Sequence, residues 1–187
     1  MKNETLTLRQ IKKPNSTAFK SLWKVYKKSF PANEQRPLWQ QVQLISNPNY
    51  QLFGALQKKQ LIGLMGVWGL SDFLFIEHMA IVPRKRNQGL GSRMLKQLLA
   101  KKVSKAILEV DPPGTSGSDR RIRFYEKAGF FLNRGNYFQP SYHPPKLPVK
   151  MRLMSYPKKL SKKRFEKIRN KIHAIVYGRS KPLLRAG

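Results

Sequence analysis

Residues 79–98, MAIVPRKRNQGLGSRMLKQL, contain the feature that most constrains the fold of this chain. The apolar residues before Pro83 are typical of a strand, and the residues after Gln88 have apolar side chains at helical spacing. Between them lies a short basic turn with Gly89 and Gly91. The first turn of a helix has unpaired backbone N–H groups and the positive end of the helix dipole, and glycine lets a phosphate approach them closely. The segment therefore predicts a phosphate site where a strand leads into a helix; the alternative is a tight turn with solvated arginines.

Strands and helices alternate along the rest of the chain. The spacing of apolar residues predicts strands over 4–11, 50–56, 61–70, 73–82, 105–110, 130–138 and 148–154. It predicts helices over 17–30, after Pro37, over 88–102 and over 119–127. The chain has 187 residues, 40% of them hydrophobic, which is enough to bury one sizeable core. We therefore expect one domain.

The last thirty residues differ in character from those before them. Residues 158–187 carry 11 Lys and Arg and one acidic residue, Glu166. Apolar residues from Phe165 to Ile175 follow helical spacing, and Ser161 precedes them as a candidate N-cap. We expect residues 1–157 to form the main domain and residues 158–187 to form a basic helix and tail docked on it.

The charge and the composition narrow the class of protein. The chain has 38 Lys and Arg against 9 Asp and Glu, so its formal net charge is +29, which favours polyanions, anionic membranes or phosphorylated small molecules as partners. The absence of cysteine excludes disulfides, thiolate metal ligands and a cysteine nucleophile, and the three dispersed histidines give no recognisable metal site. No stretch resembles a membrane span or a signal peptide, so we expect a cytoplasmic protein that does not bind a membrane.

Two short motifs carry a resemblance to a known family. RNQGLG, residues 86–91, fits the pattern [Q/R]-x-x-G-x-[G/A] of the GNAT superfamily of acetyl-CoA-dependent N-acetyltransferases. RFYEKAGF, residues 123–130, resembles the second GNAT signature, a helix that carries a tyrosine and ends in Gly-Phe. The order of elements over residues 4–155 is also similar. The resemblance implies a mixed α/β sheet of about seven strands, splayed between the fourth and fifth, flanked by helices, with residues 1–157 as the acetyltransferase domain.

The same resemblance implies where acetyl-CoA binds as cosubstrate. Its pyrophosphate would lie on backbone N–H groups at the start of the helix, with Arg86 adding charge. These N–H groups would come from Asn87, Gln88, Gly89, Leu90, Gly91 and Ser92. Main-chain groups of Met79 and Ile81 would pair with pantetheine and polarise the thioester carbonyl. For the side chains of Met79 and Ile81, the alternative is an ordinary place in the core.

Aminolysis of a thioester also needs a proton donor for the thiolate and an unprotonated amine. Tyr125 stands where GNAT enzymes commonly place the tyrosine that hydrogen-bonds to the coenzyme sulfur, which makes it the general-acid candidate. Glu77 on the fourth strand and Glu109 on the fifth are rival candidates for the general base, and Asp111 is a weaker one. The alternative for the tyrosine is a place in the core, and the alternative for the carboxylates is a buried ion pair. Ser118 and Arg121 depart from the Asn and the small residue that many GNAT members have seven and four residues before the tyrosine.

Two functions from different classes follow from these observations. The first is direct transfer of the acetyl group to a primary amine in a ternary complex, without a covalent intermediate or a metal. The second is a GNAT-fold module that binds RNA or the ribosome through its basic surface, although no nucleic-acid motif accompanies the charge. The acceptor amine is not readable from the sequence, but a basic enzyme favours an anionic one. We expect a monomer or a homodimer.

Overall fold

The computed structural model describes residues 5–100, 103–142, 147–179 and 183. Within them the strands are β1 (Leu6–Gln10), β2 (Tyr50–Gln57), β3 (Gln60–Gly69), β4 (Leu74–Ile81), β5 (Ala106–Val110), β6 (Phe131–Leu132), β7 (Tyr137–Gln139) and β8 (Val149–Tyr156). The helices are α1 (Thr17–Ser29), α2 (Leu38–Leu44), α3 (Leu90–Leu99), α4 (Ser116–Glu126) and α5 (Lys162–Ile175). The chain divides into two compact units, residues 1–69 with 76–102 and residues 70–75 with 103–187.

The first unit contains β1, β2, β3 and most of β4, which are neighbours in that order. β1 pairs antiparallel with β2, and β2 pairs antiparallel with β3, so this half of the sheet is built from adjacent segments of the chain. α1 buries Phe19, Leu22 and Tyr26 at helical spacing, and Ser16 caps its N-terminus by accepting from the Phe19 N–H. The strands predicted over 50–56 and 61–70 therefore form an antiparallel hairpin, and the predicted first helix is confirmed.

The second unit contains the first two residues of β4 and the strands β5 to β8. β4 and β5 are the parallel pair of the sheet, joined through α3 as a crossover connection requires, and the Leu74 N–H donates to the Lys105 carbonyl at 2.9 Å. β8 pairs antiparallel with β5, β6 and β7. The mixed α/β sheet flanked by helices is confirmed, and the splay between the fourth and fifth strands stays a prediction.

The predicted strand over residues 130–138 is two short strands, so the described residues form eight strands where about seven were expected. Asn133 follows β6 and donates its backbone N–H to the Leu153 carbonyl of β8 at 3.0 Å, while its side-chain amide donates to the same carbonyl at 3.1 Å and to Ser155 Oγ at 2.9 Å. Its side-chain oxygen accepts from the Leu160 N–H at 2.9 Å. Gly135 follows in a place where a Cβ would lie 2.5 Å from the Phe165 ring. The chain therefore turns between β6 and β7 and packs under α5.

Two helix boundaries differ from the predicted ones for local reasons. α4 begins at Ser116, three residues earlier than predicted, because Thr115 and Ser118 form a reciprocal capping box. α3 begins at Leu90 because Gly89, with φ of +69°, is in the left-handed region and cannot continue a helix. The predicted end of this helix at residues 101–102, and the predicted start of the first strand at Glu4, lie outside the described residues.

The C-terminal helix α5 begins after Ser161, which accepts from the Arg164 N–H as the predicted N-cap. Its apolar side is buried through Phe165, Ile168 and Ile172. Arg164 and Lys171 both pair with Asp72, which precedes β4. These contacts lie within the second unit; a domain boundary at residue 157 stays a prediction.

Among the described residues, no helix is long and apolar enough to cross a membrane. In the same part of the chain, His, Asp and Glu side chains form no group of three that could hold a metal ion.

Candidate active site

The basic turn between β4 and α3 is an exposed loop with an unusual backbone. Asn87 has φ of +60° and Gly89 has φ of +69°, so two left-handed residues alternate just before the helix. Arg86, Asn87 and Gln88 are exposed, whereas Leu90 is buried and fixes the helix to the first unit. This geometry turns the chain sharply and brings its backbone to the surface.

The backbone N–H groups of residues 87–92 donate to no acceptor among the described residues, and the first helical bond runs from the Arg93 N–H to the Gly89 carbonyl at 3.1 Å. A helix of ten residues directs its positive dipole end toward these groups. All six residues named for the pyrophosphate lie in this run. The turn therefore has the donors that an anion needs.

Arg86 is tied to the end of β4. Its Nε donates to the Ile81 carbonyl at 3.0 Å, so the side chain crosses back over the turn while remaining exposed. The Ile81 side chain is buried and Met79 is half-buried, as expected for core positions on a strand. The Ile81 carbonyl therefore accepts from Arg86, which links the end of β4 to the turn.

Glu77 lies in a buried ion pair. Its Oε1 accepts from Arg36 Nε at 3.0 Å and from Arg36 Nη2 at 2.7 Å, and its Oε2 accepts from Trp68 Nε1 at 3.0 Å. The side chain has no exposed area, and that of Arg36 is 6% exposed. Arg36 therefore neutralises the buried carboxylate and both of its oxygens have donors, which is the buried ion pair that the sequence left open as the alternative for this residue.

His78 approaches Glu77, although neighbouring residues of a strand direct their side chains to opposite faces of the sheet. Its Nδ1 lies 3.6 Å from Glu77 Oε2, and its Nε2 lies 3.2 Å from the Tyr26 hydroxyl. The Tyr26 hydroxyl accepts from the Arg36 N–H at 2.8 Å, and burial raises the pKa of Tyr26. The histidine is therefore part of a buried polar network in the first unit.

Tyr125 lies on α4 in the second unit and is 8% exposed. Its ring packs edge-on against Phe130 at 5.9 Å, and the Phe130 N–H donates to the Tyr125 carbonyl. Burial raises the pKa of Tyr125 to about 12, and the charge of Arg121 opposes this only in part. The Tyr125 hydroxyl has no hydrogen bond with any described residue. It is a protonated phenol at neutral pH with its donor available.

The two positions of α4 that depart from the GNAT pattern have local roles. Ser118 is the third residue of the helix, and its hydroxyl accepts from the Thr115 N–H at 3.1 Å. Arg121 donates to Asp111 at 2.6 Å, with both side chains partly exposed. Asp111, the weaker candidate base, is therefore paired with an arginine.

Glu109 on β5 is half-buried, and the hydrogen-bond donors that the described residues give it are neutral. Its Oε1 accepts a short hydrogen bond from the Tyr137 hydroxyl, and its Oε2 accepts from Gln139 Nε2 at 3.1 Å. The Tyr177 hydroxyl lies 3.1 Å from Oε1 and 2.9 Å from Oε2. Tyr142 completes this tyrosine cluster, with its hydroxyl 3.4 Å from that of Tyr177. The carboxylate is thus held by phenols and an amide.

The comparison with known families decides the identity of the fold. The sequence model of the acetyltransferase (GNAT) family matches residues 18–130, more than half of the chain. A protein of Bacteroides thetaiotaomicron assigned to the GNAT acetyltransferases is 30% identical, with a TM-score of 0.86 over 92% of this chain and 99% of that one. The chain belongs to the GNAT acetyltransferase family. No curated protein has significant sequence similarity to it.

More distant solved structures share the GNAT fold. The ribosomal-protein-S18-alanine N-acetyltransferase of Escherichia coli is 17% identical, with a TM-score of 0.59 over 84% of this chain and 96% of that one. A GNAT acetyltransferase of Elizabethkingia anophelis with acetyl-CoA bound is 16% identical, with a TM-score of 0.56 over 83% of this chain and 98% of that one. At these identities the likeness extends to the fold alone.

Sequence reasoning missed three residues around Glu109 in this GNAT protein. Tyr137 and Gln139 are alternate residues of β7, so their side chains point to one face of the sheet. Tyr177 comes two residues after α5 and has no motif around it. The alternation in β7 was a usable signal, whereas the contact with Tyr177 depends on how α5 packs.

Proposed function

We propose that this GNAT acetyltransferase transfers the acetyl group of acetyl-CoA to a primary amine by direct attack, through a ternary complex. One observation carries the proposal. Six consecutive backbone N–H groups at the start of α3 have no acceptor among the described residues, and they lie in the turn that contains the GNAT motif RNQGLG. The structural neighbour from Elizabethkingia anophelis binds acetyl-CoA with the same fold. The pyrophosphate would lie on residues 87–92, with Arg86 adding positive charge.

The thioester requires polarisation before the amine attacks. The N–H of Ile81 or Met79 would donate to the carbonyl oxygen, which becomes the oxyanion of the tetrahedral intermediate. The amine nitrogen forms a bond to the carbonyl carbon, and the C–S bond breaks when the intermediate collapses. No covalent bond to the enzyme forms.

The protons move between the substrates and two side chains. An amine that arrives as an ammonium gives one proton to a general base, and the departing thiolate takes one from the Tyr125 hydroxyl. The Tyr125 phenol is protonated at neutral pH and has no hydrogen bond with any described residue, so its proton is available to the thiolate. The second proton of the attacking nitrogen is lost as the amide forms, and it restores the phenol.

Glu109 is the better candidate for the general base. The Glu77 side chain has no exposed area and forms a two-point contact with Arg36, so an amine cannot reach it directly. Glu109 is half-buried and belongs to the same compact unit as Tyr125. We therefore assign Glu77 a structural role and Glu109 the proton-accepting role.

We propose the acceptor only as a class of substrate, the primary amines. The solved neighbours include enzymes named for a ribosomal protein and for spermidine, at identities that carry only the fold. The formal net charge of +29 favours an acidic or phosphorylated amine over a polyamine. The RNA-binding alternative rests on charge alone and stays a prediction, as do the cytoplasmic location and the monomeric or homodimeric state.

Two measurements test the proposed function. Isothermal titration with acetyl-CoA should show binding, and no heat at high micromolar ligand would exclude the acetyl donor. A panel of mono- and diamines, amino sugars, amino acids and peptides with a free N-terminus, including acidic and phosphorylated members, should reveal at least one acceptor through release of free thiol. A panel without any acetylated member would contradict the transfer reaction even if acetyl-CoA binds.

A further inference from the structure

The hydrogen bonds of the tyrosine cluster have one direction. The Tyr177 oxygen has the Gln139 Nε2 at 3.0 Å and the Tyr142 hydroxyl at 3.4 Å, and both are donors to it. The Tyr177 hydroxyl donates to the Glu109 carboxylate, and a phenol has only one proton to give. Gln139 supplies its second N–H to the same carboxylate. The chain of donors therefore ends on the Glu109 oxygens.

This arrangement fixes the carboxylate in two ways. Donors on both oxygens restrict rotation of the Glu109 side chain, because each rotamer that leaves the cluster loses hydrogen bonds to a charged group. The same donors favour the ionised form over the protonated form. The donors lower the basicity of the carboxylate, so what they contribute to proton transfer is an ionised carboxylate held in one orientation.

Tyr177 comes from a part of the chain that lies outside the family core. The family match ends at residue 130, and Tyr177 follows α5, whose buried side and contacts with Asp72 hold it in place. The family resemblance assigns no role to the basic C-terminal helix α5. Its position indicates one, because Tyr177, which follows α5, donates a hydrogen bond to Glu109 on β5.

We infer that Tyr177 is a positioning residue of the acetyl transfer: its hydroxyl holds the Glu109 carboxylate in one orientation and in its ionised form, ready to accept the ammonium proton of the acceptor. The inference rests on the proposed function, since it takes Glu109 as the general base. It makes the segment after α5 a working part of the enzyme.

The test is a double-mutant cycle between Tyr177→Phe and Glu109→Gln, with the best acceptor of the amine panel. Glu109→Gln should lower kcat by roughly 10²–10⁴-fold. Tyr177→Phe keeps the ring, so it should lower kcat at neutral pH by about tenfold and move the acidic limb of the kcat profile to higher pH by roughly one unit. In the Glu109→Gln background, Tyr177→Phe should change kcat by less than about twofold, because it acts through the carboxylate.

Tyr156→Phe is the matched control. Tyr156 is the last residue of β8 in the same unit, its ring packs against Phe130 at 5.6 Å, and its hydroxyl has no hydrogen bond with the described residues. The Tyr156→Phe variant should have the acidic limb of its kcat profile at the same pH as the wild-type enzyme. The acceptor's own ionisation is common to all variants and cancels when each profile is divided by that of the wild type.

The outcomes separate the inference from the proposed function. No acetylated amine in the panel overturns the proposed function. A Glu109→Gln variant with the turnover of the wild type overturns the assignment of the base and the inference with it. Loss of turnover in Glu109→Gln, combined with an unchanged acidic limb in Tyr177→Phe or with the same fold-loss in both backgrounds, overturns the inference alone.

Discussion

At the scale of single residues, Tyr125 offers the sharpest test of the chemistry. Tyr125→Phe keeps the ring against Phe130 and removes only the hydroxyl, which has no hydrogen bond with the described residues. Folding should therefore be preserved. Since general-acid assistance is worth roughly 10²–10⁴-fold, kcat should fall within that range while the Kd for acetyl-CoA stays close to the wild-type value. Wild-type kcat in this variant would show that the thiolate takes its proton elsewhere.

Gly89 tests the phosphate site, and Gly178 provides a matched control. Both have similar left-handed φ angles, +69° and +65°, and an added Cβ meets nothing within 4 Å at either one. Valine should thus impose a similar backbone penalty, roughly 1–2 kcal/mol or more, on the free energy of unfolding at both positions. We expect Gly89→Val, checked for folding by circular dichroism, to raise the Kd for acetyl-CoA more than about tenfold, because its side chain stands between the backbone and the phosphate.

Gly178→Val should leave the Kd for acetyl-CoA near that of the wild type.

Arg86→Ala should raise the Kd for acetyl-CoA less than Gly89→Val does, because one cation among many is partly replaceable in so basic a chain. If Gly89→Val and Gly178→Val have the same Kd for acetyl-CoA, the turn has only a structural role and the pyrophosphate does not bind in this loop.

The residue types of the candidate site were predictable, but their partners were not. Glu77 and Glu109 are both acidic residues inside apolar strands, and the sequence gives them equal chemistry. They differ because Arg36, 41 residues before Glu77, encloses one carboxylate, while phenols hold the other. Such long-range partners follow from tertiary packing, which local spacing does not encode.

At the scale of elements, apolar periodicity placed the long strands and helices, and short polar residues decided the boundaries. The break between β6 and β7 lies at Asn133, whose side-chain amide bonds to β8 beside its own backbone N–H and whose side-chain oxygen accepts from the Leu160 N–H. The early start of α4 comes from the capping box of Thr115 and Ser118. Both are local hydrogen bonds of polar side chains, to which a search for apolar periodicity is insensitive.

His173 makes the packing of α5 sensitive to pH. It is fully buried, its Nδ1 accepts from the Leu183 N–H at 3.1 Å, and burial lowers the pKa of His173 to about 4, with Arg169 and Arg179 adding to the effect. Between pH 6.5 and 4, His173 is therefore protonated in the unfolded chain and neutral in the folded chain. The free energy of unfolding should fall by about 2 kcal/mol between pH 7.5 and pH 5 on this account.

The variant His173→Asn retains an acceptor for the Leu183 N–H and has no ionisable group. Denaturant unfolding at both pH values should show that it loses about 2 kcal/mol less than the wild type over this interval, while the contributions of all other groups cancel in the difference. Identical pH dependence in the two proteins would mean that His173 titrates normally in the folded state.

At the scale of the whole molecule, both units contribute basic residues to the net charge of +29. Exposed lysines include Lys24, Lys27 and Lys28 on α1 in the first unit and Lys162, Lys163 and Lys167 on α5 in the second. Such a field raises the local concentration of anions and repels cations. The family match and the fold say nothing about this charge, so it is the main property of the chain that bears on the choice of acceptor.

The last prediction concerns that choice. Among acceptors matched in size, such as a peptide with acidic residues after a free N-terminus and its neutral amide analogue, we expect kcat/KM to be at least about tenfold higher for the acidic one at low ionic strength. Because salt shortens the range of the field to about 10 Å at 0.1 M, the preference should shrink steeply as salt rises from roughly 20 to 500 mM. The neutral analogue controls for salt effects on folding and on acetyl-CoA binding. A preference that persists at high salt would indicate direct contacts with the acidic side chains, and no preference at low salt would show that the field at the acceptor site does not follow the net charge of the chain.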